Sequence, residues 1–275
     1  MKQFKTLITK EWHSHKHSFL IPSYVVAAFF ILLGIASIWG SIRFGLPEFD
    51  FENDIVHDPK DVIWTLHYAM SVVIAWFAIL TSITINDSML NGDYQKKCEI
   101  MHNSQPVSMV KILAAKLSFS IPMMLVQYLV LACISSLIVS AVLAFFGFNG
   151  WFLGLHAVIS PFLMILVSML ALTSIFWMFS CFFRKQAALK FWLVMIVIDL
   201  LRLMITRIWP ISHMFSPYKY YIKLLLMPFS MIKIKSTGFN FGWDSMDIGS
   251  NLLSLFISIL MFIAGYYLYK QRELS

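Results

Sequence analysis

Six stretches of the chain, at about 19–41, 62–85, 112–146, 154–183, 190–209 and 249–269, are almost wholly apolar, and polar segments separate them. A helix crosses the roughly 30 Å of bilayer hydrocarbon with about 20 apolar residues. Every stretch meets that length. The pattern therefore predicts an all-α integral membrane protein with six transmembrane helices in a single domain. The third stretch, about 50 Å long if wholly helical, must tilt, break or project into water. Pro122 within it and Pro161 in the fourth stretch each remove a backbone hydrogen bond. Both are expected as tolerated kinks, since neighbouring helices can satisfy the freed carbonyls.

The flanks carry their own periodicity. Phe4, Leu7, Ile8 and Trp12 fall at helical spacing, with Lys2, Lys5, Thr9 and Lys10 on the other face. That combination predicts a basic amphipathic helix over 1–18 lying in the membrane interface, with Trp12 at headgroup depth. The first apolar stretch is too long for a signal-peptide core and is expected to stay as a span. Residues 210–248 are too many for a turn and too apolar for a free loop. Tyr221, Leu224, Leu225 and Pro228 keep a helical stripe, with Lys219 and Lys223 on a polar face. Short helices dipping into the outer leaflet are expected here, anchored by Tyr218, Tyr220 and Trp243.

Composition supports a membrane protein. Apolar residues make up 59% of the chain and charged residues 13%, outside the range of soluble domains. The net charge of +7 flanks the apolar stretches, which fits anionic lipid headgroups and gives no reason to expect nucleic acid. Cys98, Cys133 and Cys181 have no paired spacing and suggest neither a disulfide framework nor a zinc site. Most lysines and arginines near stretch ends fall on one side: Lys2, Lys5, Lys10, Lys16, Lys96, Lys97, Lys111, Lys116, Arg184, Lys185, Lys190, Lys270 and Arg272. The positive-inside rule then predicts that both termini are cytoplasmic.

Few residues suggest chemistry. Asp199 and Arg202 are the charges expected well inside a span, where each costs a few kcal/mol on insertion scales. Three residues apart on a helix, they can neutralise one another as an internal pair. The functional alternative is a gate, a substrate contact or a tie between subunits. His13, His15 and His17 alternate, but a helix scatters their rings, so a polar interfacial face is expected rather than a metal site. His67 and His156 are lone histidines that fit satisfied core positions. No H-E-x-x-H, G-x-S-x-G or G-x-x-x-x-G-K-[ST] motif occurs. The chain has no loop of its own to cradle ATP phosphates and no catalytic residues are assigned.

The most instructive polar segment is the bridge over 86–111. It reads Asn86-Asp87-Ser88, then Asn91-Gly92-Asp93-Tyr94-Gln95-Lys96-Lys97-Cys98-Glu99, and ends Gln105-Pro106-Val107-Ser108. Pro106 stops one element, Ser108 can cap the next helix, and Lys111 and Lys116 sit at its cytoplasmic end. With Leu7-Ile8-Thr9-Lys10-Glu11-Trp12 at the start, a bulky segment before the last span and Tyr269-Lys270-Gln271-Arg272-Glu273 at the end, the layout resembles an ATP-binding-cassette (ABC) type 2 transporter permease. That family supplies the six-span membrane subunits of bacterial exporters.

The resemblance implies a coupling helix in the bridge that docks on a separate ABC ATPase subunit. It carries that role onto Asp93, Tyr94, Lys96, Lys97, Glu99, Gln105, Pro106 and Ser108. Many members have an acidic–Arg pair where this chain has Asp93-Tyr94, and Leu where it has Gln105. It further implies a second permease subunit, in a homo- or heterodimer, with the translocation path between the two. ATP and Mg would be bound by the ATPase partner, with no cofactor in this chain, and the location would be the bacterial cytoplasmic membrane. Two other classes fit the spans alone: an ion or proton-coupled transporter or channel using Asp199 and Arg202, and a non-transporting membrane anchor. No repeat relates the two halves, which weighs against an inverted-repeat transporter.

Overall fold

The computed structural model describes residues 2–44, 59–95, 108–160, 162–183, 186–208, 217–226, 232–235, 238–241 and 248–274. Its helices are α1 (Lys2–Phe44), α2 (Pro59–Gln95), α3 (Met109–Phe145), α4 (Trp151–Ile159), α5 (Phe162–Phe182), α6 (Ala187–Ile208), α7 (Pro217–Leu226) and α8 (Ile248–Leu274). Five of them, α1, α2, α3, α5 and α8, are long and apolar enough to cross a membrane. The chain is thus a largely helical protein with the makings of a multi-pass membrane protein. Helix α6 has 22 residues, enough length to span, but Lys190, Asp199 and Arg202 interrupt its apolar surface.

Three long helices form the frame. Glu11 meets Lys116, Phe19 meets Phe119, and Ser23 meets Gln127, so α1 and α3 run parallel. Helix α2 lies antiparallel on the same α3, pairing Asn86 with Ser120, Thr81 with Gln127, and His67 with Ser140. The 37 residues of α3 extend about 55 Å, well beyond the hydrocarbon thickness. Helix α5 follows α2, bringing Ser180 to Asn91, and α8 packs along α5 with Gly265 against Trp177. Met124, Leu131, Ile165, Met169, Leu172 and Phe176 belong to the apolar core between these helices. The starts of α1, α3 and α6 and the ends of α2, α5 and α8 therefore gather at one end, called here the bridge end.

Polar side chains punctuate the α1–α2–α3 seams. Thr81 Oγ1 donates to Gln127 Oε1 at 2.8 Å, and Gln127 Nε2 donates to Ser23 Oγ at 3.0 Å. In an apolar surrounding such interhelical bonds act as glue, each contributing about 0.6–2 kcal/mol. They also fix register, because a helix sliding past its neighbour would leave each group without a partner.

Several expectations change. No break separates the predicted interfacial helix from the first span: α1 runs 43 residues with Pro22 inside it. Phe4, Leu7 and Ile8 are half-buried, and Trp12 packs edge-on against Phe119 of α3 at 6.3 Å. The first segment is thus held by α3 as well as by any interface. Pro122 is carried inside α3 as predicted, and the fourth stretch is divided into two helices on either side of Pro161, which lies outside the described residues. Helix α4 stops at Ile159 and α5 restarts at Phe162. Pro161 offers no N–H to the turn before it, and both pieces lie along α2. Trp64 Nε1 donates to His156 Nδ1 at 3.0 Å and holds α4 to α2, and α5 packs on α8 as well as on α2.

Gly154 lets α4 approach closely. A Cβ there would lie 2.6 Å from Ser136 Oγ and 2.7 Å from the His67 ring. The His67 ring is tied, since it bridges the Ile63 carbonyl at 2.8 Å and the Ser140 hydroxyl at 3.1 Å. Gly154→Ala is expected to destabilise the protein by about 1–3 kcal/mol through overpacking, read as a lower melting temperature in detergent. An unchanged value would show that α4 can back away.

The segment after α6 also differs. Instead of short outer-leaflet helices alone, it forms α7 and a hairpin of β1 (Ile232–Lys235) and β2 (Gly238–Phe241), antiparallel with Ile232 opposite Phe241. The hairpin is a local addition to a chain that is otherwise helical as expected. Helix α7 reaches deeper than a leaflet-surface helix. The Tyr221 ring packs 5.3 Å from Phe191 and 6.2 Å from Phe176, and the Ser168 hydroxyl donates to the Leu224 carbonyl at 2.6 Å. Phe191 lies in the second turn of α6, so α7 folds back along α6 toward the bridge end instead of capping the far end.

Candidate functional site

The bridge itself spans α2's last turns, a stretch outside the described residues, and the start of α3. Asp93 and Tyr94 lie in the final turn of α2. Lys96, Lys97, Glu99, Gln105 and Pro106 fall outside the described residues. Ser108 takes the N-cap position of α3 with extended backbone, and its carbonyl accepts the N–H of Lys111 at 2.9 Å. Its hydroxyl makes no cap bond, so the expected side-chain cap is absent and only the backbone turn remains.

What the structure adds is the root beneath the bridge. Lys116 lies two turns into α3 and is only 1% exposed. Its ammonium donates to the Met89 carbonyl in α2 and lies 3.6 Å from Glu11 Oε1 of α1, itself 5% exposed. His15 Nε2 is 3.5 Å from the other Glu11 oxygen. One turn further into the bundle, the Ser120 hydroxyl donates to Asn86 Oδ1, and Asn86 Nδ2 reaches Ser82 Oγ at 3.3 Å. A lysine and a glutamate both removed from water cost several kcal/mol each unless paired and hydrogen-bonded. Here each has the other, plus a further polar group within reach.

A second tie runs from α2 to the α5–α6 turn. Asn91 Nδ2 donates to Asp87 Oδ1 at 2.6 Å, and it lies 3.4 Å from the Ser180 carbonyl and 3.2 Å from the Phe183 carbonyl. These carbonyls belong to the end of α5, where no later turn supplies helical donors. Asp87 in turn accepts the N–H of Ala187, the first residue of α6, and is attracted by Lys190. A carboxylate at a helix N-terminus satisfies an orphan donor and complements the helix dipole. Gln186, just before α6, adopts a left-handed φ of 53°, which is uncommon for a residue with a side chain. The chain thus reverses sharply between α5 and α6 beside α2.

Chemically this root is a set of buried interhelical polar contacts. It contains no paired carboxylates in acid–base geometry, and no group of three or more metal-ligating side chains occurs among the described residues. Of the two helices flanking the bridge, α3 is bound by buried polar contacts to α1 and α2, and α2 to the end of α5 and the start of α6.

The other singled-out residues lie elsewhere. Asp199 and Arg202 make the predicted internal pair on α6, with Nε and Oδ1 3.0 Å apart and both side chains partly buried. His13 and His17 are exposed on α1 and do not join His15 at Glu11. His67 and His156 both have polar partners at the far end of the bundle.

The sequence placed Lys111 and Lys116 together at an interface, but the structure leaves Lys111 exposed and buries Lys116. The missed signal was Glu11. It falls on the stripe of Leu7, Ile8 and His15, the face that α1 turns toward α3, where an acidic residue demands a cation.

No known protein family, characterised protein or solved structure matches the chain.

Proposed function

We propose that the chain is the membrane-spanning permease subunit of an ABC exporter, without catalytic residues of its own. In this reading α1, α2, α3, α4 with α5, α6, and α8 make six crossings, with the bridge end and both termini in the cytoplasm. The charged α6 is the fifth crossing, its Asp199–Arg202 pair neutralised internally. A separate ATPase subunit binds ATP and Mg and docks on the bridge. A second permease subunit completes the translocation path.

The observation that carries this reading is the root of the bridge. A docking segment is useful only if force applied to it reaches the membrane helices. The Lys116–Glu11–Met89 and Asn91–Asp87–Ser180 contacts tie the bridge helices to α1, α5 and α6. Pushing on the bridge would therefore move several helices together, as alternating access requires. The missing phosphate-binding loop fits an energy source in another chain.

The test is affinity purification of the detergent-solubilised chain from its native host, followed by identification of the co-purifying proteins. A stoichiometric soluble ATPase is expected. A complex that holds together without one would overturn the permease reading.

A further inference from the structure

Helix α1 carries a single carboxylate, Glu11, and that carboxylate is turned inward. It is 5% exposed and lies against Lys116 of α3. The contact fixes the rotation of α1 about its own axis. The opposite side then carries Lys10, His13, Lys16 and His17, which fall within about a third of the helix circumference. Lys10, His13 and His17 are exposed and Lys16 is half-buried. No acidic residue of α1 shares that face.

The same face changes character just past His17. Steps of three and four residues carry the line Lys10, His13, His17 on through Ile21, Tyr24 and Ala28 to Ile31. Ile21 is 59% exposed, Tyr24 66% and Ile31 48%. At the other end of the helix the Arg43 guanidinium lies 5.4 Å from the centre of the Trp39 ring, a pairing of aromatic and cation that suits a membrane interface. His17 and Arg43 are 26 residues apart, about 39 Å along a helix. A bilayer with its headgroup layers is about 40–45 Å thick. The switch from cationic to apolar therefore falls where headgroups give way to hydrocarbon. Contacts with α3 from Glu11 to Ser23 keep α1 upright through this boundary. Lying flat, it would spread its cations over many headgroups; upright, it stacks four of them within about 10 Å.

We propose that this face of α1 is a binding site for an anionic phospholipid. Its phosphate is held by Lys10, His13, Lys16 and His17, and its acyl chains lie along Ile21, Tyr24 and Ile31. The ammonium and imidazole N–H groups donate to phosphate oxygens, and such charge-assisted bonds are stronger than neutral ones. A zwitterionic lipid offers the same phosphate but brings an ammonium of its own to these cations. A second copy of the chain would set cations against cations with no carboxylate between them, a costly juxtaposition. The lipid braces α1 from outside, across the helix from the Glu11–Lys116 pair. The site requires that α1 cross the membrane and does not depend on the permease reading.

Native mass spectrometry of the full-length, detergent-purified protein tests the proposal. The protein is titrated with phosphatidylglycerol and with phosphatidylcholine of the same acyl chains, and phosphatidylglycerol is expected to bind more tightly. Each lysine near an anionic lipid surface is worth about a five-fold change in binding. Lys10→Gln with Lys16→Gln should thus weaken phosphatidylglycerol by about twenty-five-fold. Lys111→Gln with Lys270→Gln removes two exposed cations at the same end of the bundle and should leave binding unchanged. His13→Gln with His17→Gln gives a second reading that spares both lysines, and it too should weaken the anionic lipid. Melting without added lipid checks that each variant is folded. Equal binding of the two lipids, or an equal loss in the two lysine variants, overturns the site. Inorganic phosphate that binds alone and is lost with Lys10 and Lys16 would assign a free anion instead. A dimer that forms without lipid and is lost in the same variant would assign the face to a second copy. Either result also overturns the lipid site.

Discussion

Replacing Lys116 by alanine is expected to destabilise the protein by about 3–5 kcal/mol, the usual penalty for leaving one member of a buried ion pair alone. The substitution strands Glu11 against α3 and removes the donor to the Met89 carbonyl. His15, within reach of Glu11, can compensate only in part, because it must take up a proton to do so. Replacing both partners at once, Glu11→Leu with Lys116→Met, is expected to recover most of the loss, since apolar groups of similar volume often substitute for a buried pair without cost. The comparison is made by melting the single and double variants in the same detergent. A single variant as stable as the parent would show that water reaches the joint and that the pair is not a mechanical link. The double variant adds a functional test: it should fold, yet transmit less of the movement of the bridge to α1.

The second large effect concerns the bridge. If the proposed permease reading holds, reversing the charges of Lys96 and Lys97 to glutamate, or scrambling residues 93–105, is expected to abolish stable association with the proposed ATPase while leaving the membrane helices inserted. Desolvated charge contacts at an interface are worth about 2–5 kcal/mol when one side is lost, a weakening of roughly thirty-fold to several thousand-fold. The readout is co-purification of the ATPase with membrane-extracted variant protein, alongside protease mapping of the loops to check insertion. An intact complex after scrambling would remove the docking role from this segment. Under that proposal the Lys116 and bridge variants separate coupling from docking, since the first should keep the proposed ATPase bound and the second should not.

How much of this could be read from the sequence differs by element. Runs of apolar residues long enough to cross a bilayer are unambiguous because the solvent demands them, and α1, α2, α3, α5 and α8 follow them closely. Proline was ambiguous. The same residue type is carried inside α1 and α3, while Pro161 falls between the end of α4 and the start of α5. Gly154 docking against His67 and Trp64 bonding to His156 fix α4 independently of α5, and these are long-range contacts that no local pattern encodes. The α7 region was recognised as apolar and interfacial, but its fold-back onto Phe176 and Phe191 depends on tertiary packing. At the bridge root, the relevant residues were visible but their pairing was not. Asn86, Asp87 and Asn91 looked like ordinary loop polarity until α2 proved to continue through them as a helix. Lys116 looked like an interfacial lysine because its partner lies on a helix far away in sequence.

That separation bears on how the protein is made. Glu11 emerges from the ribosome on the face of α1 that will meet α3, long before Lys116 has been synthesised. Until α3 arrives, the beginning of α1 is better solvated by headgroups and water than by protein. Asn91 likewise waits for the end of α5. The bundle can therefore close at its bridge end only late in synthesis, after most of its helices are already in the membrane.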